Sequence, residues 1–157
     1  MSDNMYDENR HLKPNLNGEL GRNDNRLWTN SEGKLYRKDG PAVEHSDGSK
    51  FWYINDKLHR EDGPAEEWAD GDKTWWINGK RHREDGPAIE RADGSKFWYI
   101  NDKLHREDGP AVEWWEGDKF WHINGKNFSK DEWLQWLKSG QSSLDQKTLN
   151  RIILENS

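Results

Sequence analysis

The chain repeats itself every 23 residues, and this period constrains its fold more than any other feature. The phrase Asp-Gly-Pro-Ala returns in phase and marks four units, at about 40–62, 63–85, 86–108 and 109–131. Repeats of this length are supersecondary units that bury their apolar faces by stacking on their neighbours. Residues 48–65 and 94–111 are identical at all 18 positions, which indicates a duplication of 46 residues and predicts two equivalent sub-surfaces.

Within each unit, turn dipeptides separate short runs of β-branched and aromatic residues. In the first unit, Asp47-Gly48 and Asn55-Asp56 flank the run Lys-Phe-Trp-Tyr-Ile at 50–54. Such dipeptides favour the left-handed backbone of tight hairpin turns, and the residues between them favour strands. We therefore expect a mainly β chain, an elongated antiparallel β-meander of 23-residue hairpin repeats. The array should span 27–128 and begin with a degenerate half unit.

The two ends depart from the repeat. Residues 1–26 are rich in Asn, Asp and Gly, which predicts a polar N-terminal arm or irregular cap. A capping-box pattern begins at Ser129, and apolar residues follow it at helical spacing. A second helix is expected to start after Ser142 or Ser143. Residues 129–157 are thus predicted to form a C-terminal α-helical cap that covers the last unit.

Composition and charge narrow the classes of function. The chain has 34% charged residues, 31% hydrophobic residues and 11 Trp, which suits a thin fold with aromatic ribs. The lack of Cys excludes a disulfide framework and a thiolate metal site. A net charge of −6 argues against nucleic acid as a partner. No apolar run approaches the ~20 residues of a membrane span, and the polar first residues do not resemble a signal peptide, so we expect a cytoplasmic protein without a membrane partner.

Equivalent positions of the four units form columns, and the columns that hold the same residue in every unit predict the core. A Trp column and an Ile column are expected to form a buried spine, with a small Ala opposite; a Trp ladder that stacks sugars or bases is the functional alternative. A Glu and a Lys of each hairpin are expected to face each other as an ion pair. The two spine columns are Trp52, Trp75, Trp98, Trp121 and Ile54, Ile77, Ile100, Ile123.

The phrase His-Arg-Glu-Asp is the main polar signal. One interpretation is structural, with Asp capping the turn and Arg pairing with Glu. The other is a ribbon of Arg and His that binds an anionic ligand. Equivalent residues of neighbouring hairpins lie roughly 10 Å apart, too far for three His to share one metal, and no unit has a distinct nucleophile. We therefore predict no catalytic residue, metal or cofactor. The anionic-ligand candidates are His59, Arg60, His82, Arg83, His105 and Arg106.

Columns that vary between the units are better candidates for a partner surface. They contain large aromatic residues beside the predicted spine, more than a single sheet layer can bury. An exposed aromatic patch of this kind is typical of a protein-binding site. The partner-binding candidates are Trp68, Trp76, Tyr99, Trp114, Trp115 and His122.

The repeat also resembles a known family. Asp-Gly-Ser-Lys followed by an aromatic residue and Trp, then Asn-Gly-Lys, resembles MORN-type hairpin repeats over residues 33–126. The His-Arg-Glu-Asp-Gly-Pro-Ala form resembles a variant found in proteins of bacteriophages and large DNA viruses. The resemblance implies an all-β scaffold for protein association. The core here is Phe-Trp-Tyr-Ile where the family has Tyr-x-Gly-x-Trp, and this departure argues against the lipid-headgroup binding of some members.

Three functions follow from these patterns. The first is a non-enzymatic repeat scaffold that binds a protein partner, as a viral protein that inhibits or sequesters a host defence protein in the host cytoplasm. The second is a binder of a nucleotide or carbohydrate that uses the aromatic and Arg faces. The third is a structural homo-oligomerising module. Its self-association surface would be the C-terminal helices, with Trp133, Trp136, Ile152 and Ile153.

Overall fold

The computed structural model describes residues 25–156. These residues form two compact units that divide between Lys80 and Arg81. The described chain has sixteen short strands in antiparallel pairs and two C-terminal helices. The predicted mainly β meander with a helical C terminus is therefore confirmed. The polar arm predicted for residues 1–26 lies almost wholly outside the described residues.

Each repeat adds a hairpin to a ladder of antiparallel strands. Up to Lys80, neighbouring strands follow the order β1 (Arg26–Leu27), β2 (Val43–Glu44), β3 (Lys50–Phe51), β6 (Glu66–Glu67), β7 (Lys73–Thr74). From Arg81 onward the order is β10 (Ile89–Glu90), β11 (Lys96–Phe97), β14 (Val112–Glu113), β15 (Lys119–Ile123), β16 (Lys126–Phe128). A Glu stands opposite a Lys in every ladder hairpin, as predicted, for example Glu44 opposite Lys50. These Glu side chains form their ion pairs with Arg, however, as Glu44 does with Arg37 at 3.2 Å.

Along the chain, a second set of hairpins alternates with the ladder hairpins, and each forms its own two-stranded sheet. The strands are β4 (Tyr53–Ile54) with β5 (Lys57–Leu58), β8 (Trp76–Ile77) with β9 (Lys80–Arg81), and β12 (Tyr99–Ile100) with β13 (Lys103–Leu104). Asn55 and Asp56 connect the first pair with φ of 50° and 62°. Two left-handed central residues make a type I′ turn, which matches the right-handed twist of the strands. The turn dipeptides therefore shape these hairpins as the sequence predicts.

The chain leaves the ladder at Trp52, so the continuous strand expected over 50–54 is wrong. The N–H of Trp52 donates to Ala65 O at 2.8 Å, while its C=O accepts from His59 N–H at 3.0 Å. These two partners belong to different hairpins, and the strand divides there into β3 and β4. The last unit differs because β16 pairs directly with β15 at Trp121, and β15 stays continuous.

The predicted spine of Trp and Ile is wrong in its burial. The Ala column is the buried one, with all four members 0% exposed: Ala42, Ala65, Ala88 and Ala111. The Trp column from Trp52 onward is only half-buried, and Ile54 is 39% exposed. Of the eight predicted spine residues, Ile123 alone is buried, at 6% exposure. Ala65 lies where strands of neighbouring hairpins bond through it, since its C=O accepts from Trp52 N–H and its N–H donates to Thr74 O at 2.9 Å. Only a small side chain suits such a tightly paired position.

The helices begin at capping residues. They are α1 (Lys130–Lys138) and α2 (Gln146–Glu155). Ser129 and Glu132 form the predicted capping box at the start of α1. Asp145 caps α2 by accepting from two backbone N–H groups, so the predicted start after Ser142 or Ser143 is wrong by a few residues.

The helices pack on the last hairpin as the cap predicted from the sequence. Trp133 and Leu137 of α1 and Ile152 of α2 form a buried cluster with Ile123 of β15. Two residues of the predicted self-association surface, Trp133 and Ile152, are therefore enclosed within the chain and are not available to a second copy. Half-buried Trp136 also packs against this cluster.

Candidate functional site

The arginine of the His-Arg-Glu-Asp phrase is stacked on the tryptophan of its repeat. The guanidinium carbon of Arg60 lies 4.0 Å from the ring centroid of Trp52. Its Nε donates to Asp62 Oδ1 at 2.8 Å, and its Nη1 donates to Pro64 O at 3.1 Å and to Glu67 Oε1 at 3.0 Å. One side chain thus connects an aromatic ring, a turn and the first strand of the next hairpin.

The same arrangement returns 46 residues later. Arg106 lies 3.9 Å from the Trp98 ring centroid and bonds Asp108, Pro110 O and Glu113. The stacked guanidinium also explains the glycine of Asp-Gly-Pro-Ala. A Cβ added at Gly63 would meet Arg60 Cζ at 2.9 Å, closer than real Cβ contacts come.

The anionic-ligand candidates among the arginines already have anionic partners. Arg60, Arg83 and Arg106 each pair with the Asp two residues on and the Glu seven residues on. The expected Arg–Glu pair therefore forms with a Glu of the next strand and not with the Glu of the phrase. The hydrogen bond from Arg60, together with its charge, lowers the pKa of Asp62 below its usual range. This neutralisation weakens the attraction of the predicted ribbon for an anion.

The histidines of the phrase connect neighbouring hairpins. Asn78 N–H donates to His59 Nδ1 at 3.1 Å, and Asn124 N–H donates to His105 Nδ1 at 3.1 Å. His82 Nδ1 lies 3.2 Å from Asn101 Oδ1. Each imidazole thus holds the type I′ turn that follows it, and the other ring nitrogen, Nε2, faces the Glu of its own phrase at 3.6 to 3.7 Å.

Two clefts lie beside these phrases at equivalent positions of the 46-residue duplication. The first cleft, about 720 Å³ in volume, is lined by residues 37–40 and 59–62 together with Trp52 and Ile54. The second cleft, about 610 Å³, is lined by the equivalent residues 46 positions on, and additionally by Pro87, Ser143 and Leu144. Each cleft therefore combines a Trp, an Ile, a His and paired charges.

The partner-binding candidates fall into two groups. Trp68 and Trp114 are each 44% exposed beside the turns of the ladder hairpins, and Trp115 is 63% exposed. Trp76, Tyr99 and His122 are half-buried. The indole of Trp76 donates to Glu66 at 2.9 Å, and the guanidinium of Arg81 lies over the Tyr99 ring at 4.1 Å. The structure thus exposes the first three candidates and engages Trp76 and Tyr99 within the chain. The buried Nδ1 of His122 has no hydrogen-bond partner among the described residues.

The rings at the hairpin turns are held in fixed orientations. Trp68 stands edge-on to Phe51 at 4.9 Å between ring centroids, and Trp114 stands edge-on to Phe97 at 5.0 Å. Phe120, which the sequence reasoning did not select, is 43% exposed on β15. Its signal in the sequence is its register: Phe51 and Thr74 hold the same position in earlier repeats and are buried, but the array ends after Phe120.

Sequence reasoning also missed two buried serines. Ser49 Oγ accepts from Ala69 N–H at 3.0 Å, and Ser95 Oγ accepts from Trp115 N–H at 3.1 Å. Each hydroxyl thereby fixes the turn of the following hairpin, which presents Trp68 or Trp114. Alternate repeats have Asp at this position, and that Ser–Asp alternation was the available signal.

The described residues offer no group of three His, Asp or Glu side chains that could hold a metal ion. Neither helix in the described part of the chain is long and apolar enough to cross a bilayer. No protein family matches the chain, and no curated protein sequence is significantly similar to it. The resemblance to MORN-type repeats therefore rests on the quoted motifs and stays a prediction.

Proposed function

We propose that this protein is a non-enzymatic repeat scaffold that binds a protein partner through the aromatic turns of its ladder hairpins. The observation behind the proposal is the exposure of Trp68, Trp114, Trp115 and Phe120. Large aromatic side chains are enriched at the energetic centres of protein interfaces, where one Trp contributes about 2 kcal/mol or more. Leaving several of them in water is unfavourable unless a partner covers them.

The edge-on contacts support the same conclusion. Because Phe51 and Phe97 fix the Trp68 and Trp114 rings, less side-chain freedom remains to be lost on binding. The buried hydroxyls of Ser49 and Ser95 hold the turns that present these rings. The 46-residue duplication gives two equivalent aromatic turns, which suits a partner with two contact points.

A capture experiment tests the proposal. The tagged chain is incubated with bacterial lysate, and retained proteins are identified by mass spectrometry. We expect one protein at near-equal amount, with its retention reduced at least tenfold by the Trp114→Ala/Trp115→Ala double variant. Leu154→Ala is the matched control, because Leu154 is an exposed apolar residue on α2, outside the hairpins.

Two outcomes would contradict the proposal: no protein is retained, or retention is the same for the double variant. The expectation of a viral protein that inhibits a host defence protein stays a prediction, and the identity of the retained protein tests it. A cytoplasmic location is part of the same proposal and is tested by fractionation of cells that express the chain.

A further inference from the structure

The two equivalent clefts differ in what covers them. In the second cleft, the Glu107 side chain is only 15% exposed, because the segment before α2 lies against it. In the first cleft, the equivalent Glu61 side chain is 86% exposed. The same repeat position is therefore covered by protein in one cleft and open to solvent in the other.

The covering segment contacts Glu107 through three donors. Ser143 N–H donates to Glu107 Oε2 at 2.7 Å, and the hydroxyls of Ser142 and Ser143 donate to the same atom at 2.9 Å each. Leu144 follows and, like Ile100, lines the cleft. A carboxylate is thus bound by two consecutive hydroxyl residues, with an apolar residue next to them.

In the first cleft, Glu61 has the same local geometry, and no segment of residues 25–156 covers it. His59 Nε2 lies 3.7 Å from Glu61, and His105 Nε2 lies 3.7 Å from Glu107. The neighbouring Arg–Asp contacts are 2.8 Å and 2.7 Å in the two clefts. Because the side chains already stand as they do in the covered cleft, little reorganisation is needed to receive a similar segment.

We propose that the first cleft docks a segment of the partner protein in which two consecutive Ser or Thr residues precede a large apolar residue. Glu61 accepts from the two hydroxyls and the backbone N–H, and the apolar residue lies beside Ile54. The inference rests on the proposed function for the existence of a protein partner. A second copy of this chain is not the occupant, because its own Ser142–Leu144 segment is already bound to its own second cleft.

A peptide tests the cleft directly. A fluorescein-labelled peptide with the sequence of residues 139–150 is titrated with the full-length protein, and anisotropy reports binding. We expect saturable binding at one peptide per chain. Replacing Ser142 and Ser143 of the peptide by alanine, or introducing Glu61→Gln in the protein, should weaken the affinity at least tenfold. Glu116→Gln is the matched control, because Glu116 is an exposed carboxylate outside the cleft, and it should leave the affinity unchanged.

The outcomes separate this inference from the proposed function. Peptide binding that needs both Glu61 and the serines supports it. Absence of binding, or equal binding to the Glu61→Gln and Glu116→Gln variants, overturns it. If the capture experiment succeeds while the peptide does not bind, only the cleft assignment fails. If the peptide binds with the expected dependence while capture fails, the aromatic turns are not the docking surface, and the cleft remains a peptide site.

Discussion

Replacing Glu107 by alanine should loosen the C-terminal cap, whereas the same change at Glu61 should leave stability nearly unchanged. A hydrogen bond to a charged group contributes about 1.5–3 kcal/mol, and Glu107 accepts three of them from Ser142 and Ser143. The two hydroxyls can turn to water after the substitution, and the carboxylate is itself 15% exposed. We therefore expect a loss of about 2–4 kcal/mol in the free energy of unfolding rather than the full sum.

Urea unfolding followed by tryptophan fluorescence measures this difference, with the free energy extrapolated linearly to zero denaturant. For a chain of this size, the expected loss corresponds to a lowering of the melting temperature by about 4–16 °C. The Ser142→Ala/Ser143→Ala double variant should lose less than Glu107→Ala, because the Ser143 N–H still bonds the carboxylate.

The control is internal to the chain. Glu61 occupies the equivalent repeat position, faces the equivalent histidine and is 86% exposed. Equal losses for Glu107→Ala and Glu61→Ala would show that the effect comes from the repeat itself and not from the cap. A loss below about 1 kcal/mol for Glu107→Ala would show that these hydrogen bonds do not anchor the segment.

Three further perturbations address the repeat. Gly63→Ala should destabilise by about 1–3 kcal/mol in urea unfolding, because its Cβ displaces the stacked guanidinium of Arg60; unchanged stability would refute the packing argument. Ser95→Ala should cost about 1 kcal/mol in the same assay by removing the bond to the next hairpin turn, and no loss would contradict that role. Arginine hydrogen bonds lower the folded-state pKa of Asp62 and Asp85. The stabilisation that these ionised carboxylates contribute is present above the unfolded-state pKa of about 3.9, and it is lost as the pH falls below that value. The urea midpoint should therefore drop between about pH 4 and pH 2, and a double Asp→Asn variant that drops equally would refute this cause.

Features that depend on neighbouring residues in the chain were predictable. The Asn-Asp pairs adopt left-handed turns because short polar side chains tolerate that backbone. Ser129 and Glu132 form a capping box because both partners lie within one helical turn. The alternation of turn dipeptides and β-formers therefore predicted the hairpins and the first helix.

Features that depend on the next hairpin were not predictable from one repeat. Trp52 has a strand-forming sequence around it, but its N–H and C=O bond different hairpins, and the strand divides there. Ser142 and Ser143 are residue types that commonly cap helices, yet they donate hydrogen bonds to Glu107. Asp145 is the residue that caps α2. In both cases a non-local partner competes successfully with the local preference.

The residues of the candidate site were likewise only partly predictable from the sequence. The variable columns indicated aromatic candidates, but the pattern alone did not distinguish exposed Trp114 from Trp76, whose indole bonds Glu66. Likewise, the repeated phrase placed Glu61 and Glu107 in identical local sequences, and only the position of the C-terminal segment made one of them buried.

The sequence by itself determined the period, the hairpin turns, the mainly β class and the helical C terminus, because turn chemistry and side-chain spacing act over a few residues. Tertiary structure alone decided where the strands divide, which aromatic rings face water and which of two equal clefts is covered. These properties arise from contacts between residues that are distant in sequence, such as Arg60 with Glu67 of the next strand and Glu107 with Ser143 before α2. Identical repeats acquire different surroundings through such contacts, and the surroundings set their burial and their capacity to bind.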